Sequence, residues 1–192
     1  MGRLIVIQFI TLDGVVEDPD GSDGTSFGGW AMRHGPAAIA GDKFRLGPIL
    51  EHGTLLFGRR TWEHFATLWP FRDDEFSRAM NGATKSVVTR RSLDIAAWSN
   101  STVVDGPLLD WTRDRAAATD VVVIGSGSLV NQLVEADLVD EYRLRTFPTV
   151  AGSGRRLFTT PGRYEFVGVE PMGPTTLSIL RTERSDPAGG GR

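Results

Sequence analysis

The stretch from Asp120 to Phe147, DVVVIGSGSLVNQLVEADLVDEYRLRTF, most limits what this chain can fold into. Val121 to Ile124 is an unbroken apolar run, which a strand carries when both of its faces are buried, as in the middle of a parallel sheet. The GSGS turn follows, and then Leu129, Val130, Leu133 and Val134 recur at helical spacing. In the next strand, 139–146, Tyr142, Leu144 and Thr146 alternate with Arg143 and Arg145, so one wetter face is expected there.

The rest of the chain supplies the partners of that central strand. Residues 3–11 read as a first strand buried on both faces, and its interruption by Gln8 and Thr11 makes it a strand and not a signal peptide. A long loop follows, dense in Gly, Asp and Pro, of the kind that serves as a lid or binding loop. A helix is expected over 36–51, kinked or split by Gly47-Pro48. Further strands are expected at 54–58, 85–91 and 101–105, and further helices at 59–69, 73–80 and 107–118. Residues 163–170 and 175–182 form a closing hairpin. This alternation predicts an α/β fold, a mostly parallel central sheet with an antiparallel C-terminal edge hairpin. We expect one domain over 1–183 and a disordered Gly-rich tail over 184–192.

Composition narrows the function. Among 192 residues, 21 Lys+Arg against 24 Asp+Glu leave no basic excess, so a general nucleic-acid binder is disfavoured. No apolar stretch has transmembrane length. The chain has no cysteine, which removes thiol nucleophiles and Cys-ligated zinc and fits a reducing, cytoplasmic setting. His34, His52 and His64 lack metal-ligand spacing, so no metal site is expected.

Three strand ends carry the residues suited to an anion. Gly125, Ser126, Gly127, Ser128 and Leu129 open a helix, where free backbone N–H groups and the positive helix end favour a phosphate. The plain alternative is a strand-to-helix turn that needs small residues. Gly58, Arg59, Arg60 and Thr61 repeat the arrangement; arginine at a helix start is unfavourable unless an anion binds there. Thr89, Arg90, Arg91 and Ser92 follow a third strand and suit a phosphate monoester, though alone they would read as an exposed basic turn. Their meeting at the carboxyl ends of strands is stronger evidence than any one of them. Two carboxylates complete the set. Asp42, on the apolar stripe of the expected helix, would be desolvated and able to relay a proton; a rotated helix would leave it solvated. Asp13 reads first as a turn former beside Gly14, placed near any cleft. Trp30 reads as a core aromatic.

In order, LIVIQFITLDGVVED, TLLFGRRTWEHFA, KSVVTRRS, DVVVIGSGSLVNQLVEADLVDEYRL and FPTVAGSGRRLF resemble the dihydrofolate reductase-like superfamily, over residues 3–182. The branch they resemble is the reductase (C-terminal) domain of the riboflavin-biosynthesis deaminase/reductase, through LVDEYRL with P-x-x-x-G-S-G-x-x-L-F at 148–158. The resemblance implies a three-layer α/β fold that binds NADPH and passes hydride to a heterocycle or ribosyl imine. It implies that Gly58, Arg59, Thr61 and Gly125 to Leu129 hold the cofactor pyrophosphate and that Thr89 to Ser92 hold its 2′-phosphate. It places Asp42 where dihydrofolate reductases carry the carboxylate that handles the pterin proton.

The departures concern the substrate. The loop after the first strand is acidic, with Glu17, Asp18, Asp20 and Asp23, where dihydrofolate reductases carry a Trp. GRRTWEHF stands where riboflavin reductases carry a D-D-P-x-L-T type segment, and the zinc deaminase half has no counterpart. The expected activity is NADPH-dependent reduction of a pterin-like or ribosylaminopyrimidine substrate, with 5-amino-6-(5-phosphoribosylamino)uracil first. Dihydrofolate reduction and NADPH binding without turnover are the alternatives. A homodimer through the edge of the sheet is expected, with the wet strand 139–146 as the contact.

Overall fold

The computed structural model describes residues 1–183; the expected tail at 184–192 lies outside the described residues. Its frame is an eight-stranded sheet. The strands are β1 (Leu4–Thr11), β2 (Thr54–Gly58), β3 (Thr84–Val88), β4 (Ser101–Val103), β5 (Val121–Val123), β6 (Glu141–Phe147), β7 (Tyr164–Met172) and β8 (Thr175–Thr182). They lie in the order β4-β3-β2-β5-β1-β6-β8-β7. From β4 to β6 every pairing is parallel, while β8 runs antiparallel to both β6 and β7. The α/β sheet with an antiparallel hairpin at one edge is therefore as the alternation predicts.

The helices are α1 (Pro36–Ile39), α2 (Ile49–His52), α3 (Arg59–Ala66), α4 (Glu75–Gly82), α5 (Leu108–Ala118) and α6 (Gly127–Glu135). They cover both faces of the sheet, which is why β5 is apolar throughout and β1 nearly so. Leu4, Val6 and Ile10 of β1 pack with Val121, Val123, Leu129, Val130 and Leu133 on the side of α6. Ile5 and Ile7 point the other way, to Leu55, Phe57, Trp62, Met80 and Trp98. A third cluster, Trp30, Ala31, Ala38 and Phe147, caps the carboxyl ends of β1 and β6, so Trp30 is a core residue. No helix among the described residues is long and apolar enough to cross a membrane.

Two expectations are corrected. The helix over 36–51 is reduced to the single turns α1 and α2, because Gly41, Arg45 and Gly47 all take positive φ (74°, 54° and 44°), which no right-handed helix tolerates. The strand carrying Arg143 and Arg145 is neither wet nor at the edge. β6 lies between β1 and β8, and both arginines are buried. Arg143 is satisfied by Glu141 and by the carbonyls of Phe44 and Arg45, and Arg145 by the carbonyl and sulfur of Met172. Buried charge with such partners mimics a wet face in sequence. The open edges are β4 and β7, so β6 cannot pair with a second copy.

Candidate functional site

Because β5 lies between β1 and β2, the turns after these three strands open side by side at one end of the sheet. The Gly58 amide donates to the Gly125 carbonyl at 3.0 Å. A Cβ on Gly58 would stand 2.5 Å from the Ser126 hydroxyl, and one on Gly125 3.2 Å from the Thr61 hydroxyl. The two glycine turns touch, and their lack of side chains lets them do so.

Each turn feeds a helix with no side-chain cap: Gly58 precedes α3 and Ser126 precedes α6. The first N–H groups of both helices therefore have no intrahelical acceptor and face the same opening. Leu129 takes no part through its side chain, which is buried, and its amide donates to the Ser126 carbonyl. The hydroxyls of Ser126 and Ser128 lie 3.0 Å apart at the mouth.

The arginines differ. Arg59 is half-buried and pairs with Glu63 one turn on, at 2.6 Å, while Arg60 is exposed. The Thr89 hydroxyl closes a local turn with the backbone of Arg91, leaving the Arg90 and Arg91 side chains exposed. Ser92 is exposed as well. This basic turn follows β3, one strand beyond β2, about 5 Å to the side of the Gly58 turn.

The carboxylates have different settings. Asp42 lies on the irregular segment between α1 and α2, half-buried, and accepts the Leu46 and Gly47 amides at 2.8 and 2.9 Å. Its expected place on a helical apolar stripe is thus replaced by a turn that its own side chain closes. Asp13 takes the Thr11 hydroxyl at 2.6 Å and the Ala151 and Gly152 amides at 3.1 and 2.9 Å. These bonds, the Thr11 hydroxyl foremost, hold its carboxyl down to about 2. Asp13 thereby ties the loop after β1 to the loop after β6.

That first loop crosses the opening. Asp18 is buried at its centre, accepting the amides of Asp23 and Thr25 and the Thr25 hydroxyl. From there Asp20 reaches His64 on α3, 3.1 Å away. The loop therefore runs from β1 past β5 to the helix after β2, as a cover would.

Sequence reasoning missed Arg155. A Cβ on Gly127 would fall 2.3 Å from its Nε, so the guanidinium lies against the start of α6. That Nε is buried without a hydrogen-bond partner; Glu17 holds the residue through its amide at 2.8 Å and pairs with another guanidinium nitrogen at 3.6 Å. A cation at a positive helix end is unfavourable unless an anion lies between them. The P-x-x-x-G-S-G pattern was visible, but its meeting with the GSGS turn depends on the pairing of β1 with both β5 and β6. Among the described residues no group of three His, Asp or Glu side chains could hold a metal ion.

Glycine turns at the carboxyl ends of a parallel sheet, closed by an antiparallel hairpin, define a dihydrofolate reductase-like α/β protein. The chain belongs to the RibD C-terminal domain family, matched over residues 3–178. It is 23% identical over 163 residues to the uncharacterized protein YyaP of Bacillus subtilis (strain 168), covering 81% of this chain and 80% of that one. A putative riboflavin biosynthesis protein from Shewanella sp. PV-4 has the same fold, with a TM-score of 0.70 at 19% identity over 95% of this chain and 99% of that chain. Acinetobacter baumannii RibD superposes with a TM-score of 0.63 at 16% identity over 95% of this chain, which spans 58% of that protein.

Proposed function

We propose that this protein is an NADPH-dependent reductase of a heterocyclic small molecule. The favoured substrate is a ribosylaminopyrimidine of the 5-amino-6-(5-phosphoribosylamino)uracil type. The observation that carries the reading is the contact between the Gly58 and Gly125 turns, which brings two uncapped helix starts and Arg155 to one point. The fit to a dinucleotide is good on three grounds. A Cβ at Gly58 would collide with Ser126, the starts of α3 and α6 have no side-chain cap, and the buried Arg155 Nε has no hydrogen-bond partner.

In this reading the amides after Gly58 and Ser126, with the Thr61 hydroxyl, hold the pyrophosphate. Arg59 and Arg60 flank it, Ser128 lies at the mouth, and Leu129 anchors the helix from the core. Thr89, Arg90, Arg91 and Ser92 take the 2′-phosphate, which selects NADPH over NADH. When bound, NADPH supplies a hydride to an electrophilic carbon. The loop carrying Asp18 and Asp20 excludes water from above, and Asp13 holds the neighbouring loop in place. The proton comes from Asp42 or from a water ordered against it. Substrate positioning supplies most of the remaining rate.

The family match, and the likeness to a putative riboflavin biosynthesis protein and to RibD, support the substrate class. We place the enzyme in the cytoplasm. We also move the homodimer contact to β7, the open edge that exposes Phe166, Val167 and Val169. Sedimentation of a Val169→Lys variant tests that contact: a dimer that survives it excludes β7.

The test of function follows nicotinamide absorbance with NADPH and, in turn, the ribosylaminopyrimidine phosphate and dihydrofolate. Oxidation with the first supports the reading. Oxidation with only the second makes the protein a dihydrofolate reductase. NADPH binding without oxidation leaves a nucleotide-binding protein. Asp42→Asn should lower turnover without weakening NADPH binding; unchanged turnover assigns the proton to water.

A further inference from the structure

The loop after β1 brings an anion of its own to the residue that lies against the start of α6. Residues 14–17 run beside 155–157 as a short antiparallel ladder. The Val16 amide donates to the Arg155 carbonyl at 3.0 Å, the Leu157 amide donates to the Gly14 carbonyl at 3.1 Å, and Val15 bridges Arg156. The fully buried Trp30 fixes the end of this ladder, its indole N–H donating to the Glu17 carbonyl at 2.9 Å. The backbone of Glu17 is thus held, and its carboxylate lies against Arg155.

One Glu17 oxygen accepts the Arg155 amide at 2.8 Å, and the other stands 3.6 Å from Nη2 of the guanidinium. The second contact is an ion pair, too long for a hydrogen bond. Among the described residues the guanidinium donates no hydrogen bond to another residue, and its Nε is buried. Glu17 therefore offsets the Arg155 charge and leaves its donors unused. The unused edge is the one that matters. Nε and Nη2 form the side of a guanidinium that takes a phosphate through two parallel bonds. A Cβ on Gly127 would lie 2.3 Å from Nε and 2.9 Å from Nη2, so that edge adjoins the first residue of α6. The two side chains are 37% (Arg155) and 28% (Glu17) exposed, which leaves the carboxylate room to swing out to solvent.

We infer that Glu17 is an internal competitor at the anion site: its carboxylate occupies Arg155 until a ligand's pyrophosphate displaces it and takes the Nε–Nη2 edge. This deepens the reductase reading and rests on it only for the identity of the ligand. The ladder between 14–17 and 155–157 stays closed in the exchange, because its bonds run from backbone to backbone. What is given up is one amide bond and one loose ion pair. A pyrophosphate replaces both, since it brings more charge and several acceptors to the same donors. Glu17 thus sets how much negative charge a ligand needs before it binds here.

Calorimetric titration of the full chain with inorganic pyrophosphate and, separately, NADPH tests this. The proteins are the wild type, Glu17→Gln, Arg155→Met and the double variant. Glu17→Gln keeps an oxygen for the Arg155 amide and removes the charge, so its urea midpoint should match the wild type. It should nevertheless bind both probes about two- to fivefold more tightly at low salt, the worth of a partly exposed ion pair. That gain should shrink as salt is added. Arg155→Met should weaken both probes by about tenfold or more, the loss of charge-assisted contacts. In the Arg155→Met background Glu17→Gln should bring no gain. A structural role for Glu17 alone would weaken binding and not tighten it. Pyrophosphate affinity that is unchanged or lower in Glu17→Gln overturns the inference, as does pyrophosphate binding to neither protein. A gain that persists without Arg155 overturns it too, because it would come from the general field or from the new amide donor. Pyrophosphate that follows both residues while NADPH fails to bind would retire the reductase reading and leave the competitor standing.

Discussion

The Gly58 amide and the Gly125 carbonyl meet at 3.0 Å, a bond between two turns that each lead into a helix. It sets the spacing of the α3 and α6 N-termini, and it leaves no room for a methyl group at Gly58. Gly58→Ala should therefore part the turns. We expect a loss of about 1–3 kcal/mol in urea unfolding, as for overpacking elsewhere, and a loss of NADPH affinity of at least tenfold. Gly82→Ala is the control. Nothing lies within 4 Å of its Cβ and its φ is not positive, so stability should hold or rise slightly.

Arg90 and Arg91 are exposed on the turn that Thr89 closes. Replacing both by alanine should reduce the preference for NADPH over NADH by about 10–100-fold, the value of one or two charge-assisted hydrogen bonds. Fold stability should barely change. Parallel titrations with the two nucleotides measure the ratio, and an unaltered ratio removes this turn from cofactor recognition.

Lys85 is fully buried, donating to the carbonyls of Asn81, Ala83 and Ser99 and lying 4.6 Å from the Trp98 ring centre. Burial lowers its pKa to about 8, against 10.5 for the free side chain. Between those values the unfolded chain holds a proton that the folded chain has released, so stability rises with pH across that window. Above about pH 10 the buried Tyr142 phenol, whose pKa is raised by burial, works in the opposite direction. Urea midpoints should thus climb from about pH 7.5 to 9.5, and Lys85→Met should flatten the climb.

Asp13 has its carboxyl held down to about 2 by the Thr11 hydroxyl and then by the Ala151 and Gly152 amides. The stability it contributes is complete above its ordinary value near 3.8 and is lost as pH falls through about 2. Asp13→Asn should abolish that part of the acid transition and speed hydrogen exchange at the Ala151 and Gly152 amides. A large fall in turnover with exchange unchanged would give Asp13 a direct chemical role instead of this tie.

The Asp20–His64 contact holds the long loop against α3. Asp20→Asn should raise the NADPH dissociation rate about two- to fivefold, in keeping with a partly exposed pair worth up to about 1 kcal/mol. Stopped-flow displacement measures it, and an unchanged rate would show that the loop does not cover the cofactor.

Local pattern was enough for much of this. The apolar run Val121–Ile124, the helical spacing from Leu129 to Val134 and the closing hairpin specified the sheet and its sense, since burial on two faces leaves an unbroken apolar run and a helix leaves its own spacing. The same patterns located the Gly58 and Gly125 turns, because a strand end followed by glycine and a helix is a local event. Tertiary structure decided what local pattern cannot hold. Asp42 looked helical, but three positive-φ residues around it turned its segment into a loop that its own carboxylate closes. Arg143 and Arg145 looked wet, yet strands on both sides and distant carbonyls bury them. Arg155 reaches the start of α6 only because β1 pairs with β5 on one side and β6 on the other. Periodicity reports how much of a residue is buried, whereas the partner that makes burial tolerable comes from elsewhere in the chain.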